Sequence, residues 1–114
     1  MSSAWESFHR SMYMLVGADS QRERLVKAYK LNLARLTKKD VPAEIRIDFI
    51  NLTKDITRNP RKENGCPVMH TVYAIEEREV VAMINSIVRM YDVVTRYQPI
   101  STSRNPDDHL SSFE

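Results

Sequence analysis

Residues 74–97 read AIEEREVVAMINSIVRMYDVVTRY, and the pattern in this stretch decides the fold class. Val80, Ile84, Ile87, Tyr91 and Val94 recur at steps of four, three, four and three, which gathers them on one face of an α-helix. Glu76, Glu77 and Glu79 stand near the positive end of that helix and Arg96 near its negative end, both favourable to the macrodipole. Val81, Met83, Val88 and Met90 widen the stripe to nearly half the circumference. A face that wide predicts contact with more than one neighbour.

Upstream, the same period returns three times. Val41-Pro42-Ala43-Glu44 places a proline where a first helical turn tolerates it, with Asp40 as the expected N-cap. Ile45, Phe49, Leu52 and Ile56 then share a face, while Ile47 points the opposite way and is expected to be exposed. Ser20 with Glu23 reads as a capping box opening a helix to about Thr37, whose inner face is Leu25, Val26, Tyr29, Leu33 and Leu36. Ser3 with Glu6 reads as another, followed by Trp5, Phe8, Met12 and Leu15, with Gly17 expected as a left-handed C-terminal cap. The link from Gly17 to Asp19 is short enough to force an antiparallel pair.

Only two glycines occur in 114 residues, too few for the tight turns of an antiparallel sheet. The expectation is an all-α four-helix bundle, with helices at about 3–16, 20–37, 41–57 and 74–97. Residues 1–97 form one domain on this expectation, and the polar, proline-bearing stretch 98–114 is a disordered tail. Residues 58–72, with Asn64-Gly65 and two prolines, are expected to be one long loop.

Composition narrows the function classes. The chain is 42% apolar and 28% charged, as in a globular protein, and its net charge of +2 gives no general attraction to nucleic acid or anionic membrane. Cys66 is the single cysteine, so no internal disulfide forms and a reducing compartment is expected. The opening Met-Ser-Ser-Ala-Trp-Glu has neither a basic nor a long apolar region, and no apolar run reaches membrane-spanning length. A cytoplasmic protein without membrane contact is the expectation.

The chemistry-bearing candidates are few. Between Asp19 and Asp40, seven basic residues face three acidic ones, and Arg24, Lys27, Arg35 and Lys38 cluster opposite the apolar stripe as a candidate nucleic-acid patch. Cys66, Met69 and His70 are soft ligands within five residues, but a closed zinc site needs about four, and His9 and His109 lie at opposite ends of the chain. Neither a metal nor a cofactor is expected. Cys66 could have its pKa lowered by a basic neighbour such as Lys62. No phosphate-binding glycine loop, serine elbow or paired-histidine motif is present, so no enzymatic activity is expected. His9 is expected to be a half-buried helix histidine.

What remains is a small helical protein–protein interaction module, a regulator or accessory subunit, self-associating as a homodimer through helix faces. The candidate interface is Ile47, Val81, Met83, Val88, Met90 and Val93. The alternative is a nucleic-acid-associated protein using the basic second helix. No small-molecule substrate is evident.

Overall fold

A computed structural model describes residues 4–97, and every regular element among them is helical. Helix α1 spans Ala4–Leu15, α2 Gln21–Ala28, α3 Ala43–Ile56, α4 Pro67–Ala74 and α5 Glu77–Thr95. A π-helical turn, Tyr29–Leu33, prolongs α2, and a 3₁₀ turn, Lys38–Asp40, precedes α3. The tail expected at 98–114 and the capping residue Ser3 lie outside the described residues. None of the described helices is long and apolar enough to cross a membrane.

The four expected helical segments are present, and a fifth helix, α4, takes the end of the expected loop. Pro67 begins this helix instead of breaking one, because a proline in the first turn forgoes no intrahelical bond. Thr71, fully buried, donates from Oγ1 to the Pro67 carbonyl at 2.8 Å and accepts from the Asn59 amide at 2.8 Å, which pins the loop onto the helix. The loop itself is closed by Asn59, whose side chain bonds the Glu63 carbonyl and amide at 2.7 and 3.1 Å. Ile75 is extended and ends α4, so the last helix starts at Glu77, three residues later than the sequence predicts. There Glu76 and Glu79 cap each other reciprocally.

Helix α5 packs against α1, α2 and α3. Val80, Met83, Ile87, Met90 and Val94 are all buried there, so neighbours within the chain cover much of the broad stripe, while Val81 and Val88 on its flank stay exposed. The buried face of α1 is Ser7, Phe8, Ser11 and Leu15, rotated from the expected one, and Trp5 and Met12 are only half-buried. Two small serines let α2 approach closely: Ser11 Oγ donates to Ser7 O at 2.9 Å and to Ala28 O of α2 at 3.2 Å. Gly17 does not take the left-handed conformation; positive φ among the described residues falls at Asn59, Lys62 and Gly65. Arg24 instead closes the end of α1, donating to the Leu15 carbonyl at 2.6 Å and to the Asp19 carbonyl at 2.9 Å.

The second helix departs from the expected 20–37 at Tyr29. The Ala34 amide bonds the Tyr29 carbonyl, five residues back, at 2.8 Å, which accommodates one extra residue in the turn. Asn32 is thereby buried, and its amide reaches the Ala28 carbonyl at 3.4 Å. Asp40 does not cap α3 as expected. It closes the 3₁₀ turn, accepting from the Thr37 amide at 2.7 Å and the Thr37 hydroxyl at 3.0 Å, and Pro42 occupies the N-cap position. Of the box at Ser20 one half forms, the Glu23 amide donating to Ser20 Oγ at 3.2 Å, because the Glu23 carboxylate accepts from the Tyr73 hydroxyl at 3.2 Å.

Two contacts fix how the ends meet. Arg22 at the start of α2 donates to the Val72 and Ile75 carbonyls at the end of α4, the latter at 2.8 Å. Arg58, just past α3, pairs with Glu79 in the first turn of α5 at 3.5 Å. Helix α5 thus starts near the end of α3 and is packed against it.

Candidate functional site

At the start of α3, the 3₁₀ turn is clamped onto the helix by Arg46. Its guanidinium donates to the Lys38 carbonyl at 2.8 Å and to the buried Val41's carbonyl at 3.0 Å. The clamp leaves a cleft of about 560 Å³ between the turn and the outer side of α3, lined by Lys38, Lys39, Ala43, Arg46, Ile47 and Ile50. A second hollow of about 220 Å³ adjoins it, sharing Lys38 and Ile50 and adding Leu36, Phe49 and Lys54.

Helical geometry explains why apolar and cationic residues meet here. At about 100° per residue, Ala43, Ile47, Ile50 and Lys54 fall on one line of α3, opposite the buried Ile45, Phe49, Leu52 and Ile56. Glu44, Asp48 and Asp55 fall on a third line, roughly a third of a turn away. Ile47 is 70% exposed, a large apolar side chain in solvent with cations around it. Asp40, the acid closest in sequence to the lysines, is turned into its own 3₁₀ turn. The strip therefore offers an apolar floor with Lys38, Lys39, Arg46 and Lys54 around it, suited to burying aliphatic or aromatic side chains while pairing anionic groups. No protein-family model, curated protein or solved structure matches the chain. Any functional conclusion rests on this geometry.

The expected interface is divided by the fold. Ile47, Val81 and Val88 are exposed, at 70%, 37% and 45%. Met83 and Met90 are buried in the contact of α5 with its neighbours and cannot meet another molecule, and Val93 is half-buried against the same core. The candidate nucleic-acid patch is divided too. Arg24 serves the end of α1, and Lys27 pairs with Asp19 at 2.6 Å and lies 3.9 Å from Glu23. The hydrogen bond and charge of Asp19 hold the Lys27 ammonium above its ordinary value. Arg35 donates back to the Leu31 carbonyl of its own helix at 2.7 Å, and only Lys38 of the four lines the cleft. Eleven residues separate Arg24 from Arg35, about 16 Å of helix, so the cations do not act as one patch.

Lys39, Arg46, Ile50 and Lys54 are members of the site that the sequence did not single out. For Ile50 and Lys54 the signal is the second line on α3, Ala43, Ile47, Ile50 and Lys54, stepping four, three and four opposite the core stripe; Lys39 and Arg46 lie off that line.

Two other clusters carry chemistry. Cys66 is the N-cap of α4. Burial pushes its thiol up, but the Met69 and Val68 amides and the Lys30 ammonium outweigh that and hold it below the ordinary value. The basic neighbour is Lys30 from the π turn rather than Lys62. Met69 is exposed, and the His70 ring nitrogens face the Asn64 carbonyl and, at 3.0 Å, the Glu63 carboxylate, so the three soft candidates do not converge on a common point. Among the described residues, no three His, Cys, Asp or Glu side chains are arranged to hold a metal ion. His9 is half-buried as expected: Trp5 stacks on it at 4.5 Å, Tyr13 meets it edge-on, and its Nδ1 lies 2.9 Å from the Tyr91 hydroxyl.

Proposed function

We propose that this chain is a small helical protein–protein interaction module, a regulator or accessory subunit, that receives a protein segment in the cleft between the 3₁₀ turn and α3. The observation that carries the proposal is the exposed Ile47 set in an apolar floor and flanked by Lys38, Lys39 and Arg46. An apolar side chain held in water gains about 25 cal/mol per Å² when a partner covers it, and flanking cations steer and orient that partner. Self-association belongs to the proposal through the exposed Val81 and Val88 on α5. A cytoplasmic location belongs to it as well, supported by the lone thiol of Cys66.

The alternative, association with nucleic acid, would use Lys38, Lys39 and Arg46 at the same corner. The apolar floor favours protein, because phosphates need no aliphatic surface. Affinity capture with the wild-type chain and with Ile47→Glu tests the choice. Loss of the same specific partner in a variant with an unchanged melting curve supports docking in the cleft, and retention of that partner refutes it. Binding to a random-sequence duplex that falls steeply with salt would favour the alternative. Sedimentation velocity over a concentration series tests the dimer, and a single monomeric species throughout removes it.

A further inference from the structure

We propose that the cleft is built to take this chain's own sequence Asp107-Asp108-His109-Leu110-Ser111-Ser112-Phe113-Glu114, which any partner must displace; this rests on the cleft being a docking surface. The segment lies outside the described residues. It carries three carboxylates and no lysine or arginine, whereas Lys38, Lys39, Arg46 and Lys54 border the strip. It carries two large apolar residues, Leu110 and Phe113, and the strip has two adjoining hollows. The larger is floored by Ala43, Ile47 and Ile50, the smaller by Leu36 and Phe49.

The tether is long. From Tyr97 to Asp107 are ten peptide steps, a reach of up to about 33 Å, against a helix diameter of about 10 Å to pass around. A tethered ligand is present at an effective concentration on the order of millimolar, so a weak short-segment affinity suffices for occupancy. The consequence is a module whose docking surface is shielded until a stronger acidic, apolar competitor arrives.

The test compares amide chemical shifts of the full wild-type chain with those of two full-length variants, Leu110→Ser/Phe113→Ser and Asp107→Lys/Asp108→Lys. Shift differences at Lys38, Lys39, Ile47, Ile50 and Thr53 in both variants are expected, smaller at high salt for the wild type. Differences confined to residues beyond Tyr97 would overturn the proposal. Wild-type shifts at the cleft that grow with protein concentration would assign the occupant to a second copy and overturn the intramolecular form. If the tail variants leave the cleft unmoved while Ile47→Glu still loses its captured partner, the self-docking inference fails and the docking role stands. If Ile47→Glu keeps that partner, the docking role itself fails.

Discussion

Arg22→Met isolates the contact that joins α2 to α4. The substitution keeps most of the aliphatic stem and removes the guanidinium that donates to the Val72 and Ile75 carbonyls. Helix α4 has eight residues, well short of the roughly 12–15 an isolated helix needs, and its last carbonyls have no intrahelical partner. A hydrogen bond from a charged donor contributes about 1.5–3 kcal/mol. Arg22 is half-buried, and solvent screening lowers the value of each bond, so roughly 2 kcal/mol is expected for the pair. For a domain of this size that is a fall in Tm of about 8–16 °C. Arg22→Lys should recover only part, because one ammonium does not match two carbonyls as a planar fork does. Hydrogen exchange provides the second assay: amides of α4 should lose protection beyond the global change, since the helix is short and its C-terminal carbonyls lose their donor. An unchanged melting midpoint with unchanged exchange in α4 would refute the claim that Arg22 holds this helix.

Ile87→Ala, in the fully buried centre of α5, should cost about 2–5 kcal/mol through lost transfer energy and a residual cavity, and an unchanged urea midpoint would mean that the core is misplaced. Gly65→Ala combines a φ of +106° with a new methyl 3.2 Å from His70 Nε2 and should destabilise by about 1–2 kcal/mol, read by the same titration. Cys66 should be alkylated by iodoacetamide with a pH midpoint below the ordinary thiol value of about 8.5, and Lys30→Met should move that midpoint upward. The linked sign is that of an acid with a depressed folded-state pKa. Its stabilisation is fully present above the unfolded value and is lost as pH falls through the folded one. A midpoint at or above the ordinary value would contradict the assigned contacts.

The helices were legible because large apolar residues at steps of three and four leave a strong signal, and Ile45, Phe49, Leu52, Ile56, Val80 and Ile87 are all buried as their spacing predicts. The contacts that escaped are small or polar. Ser7 and Ser11 line the α1–α2 contact, yet a hydrophobic pattern gives serine no weight and assigns the face to Trp5 and Met12 instead. Pro67 opens α4 although a proline after Asn64-Gly65 looks like a breaker, because the same ring that ends one helix suits the first turn of the next. Met83 and Met90 were expected at an interface, yet helices of the same chain bury them, because the width of a stripe does not say whether its neighbours belong to the chain or to a partner. For the cleft, Ile47 was legible as an outward residue. Arg46 was not, since its part is to bond the Lys38 and Val41 carbonyls, and backbone acceptors have no sequence signature.

The π turn at Tyr29–Leu33 sets a phase. One extra residue corresponds to about 100° of helical rotation and 1.5 Å of rise between the residues on its N-terminal side and those on its C-terminal side. Leu25, Val26 and Ala28 answer to α1 and the core, while Leu36, Thr37 and Lys38 answer to α3 and the cleft. A chain one residue shorter there could satisfy a regular helix only by dialling Lys38 off its wall of the cleft, or by turning the α1-facing serine contact out of register. The length of this single turn thus couples the packing of one end of the molecule to the shape of the surface offered at the other. Insertions and deletions within it should be far less tolerated than in the 59–66 loop.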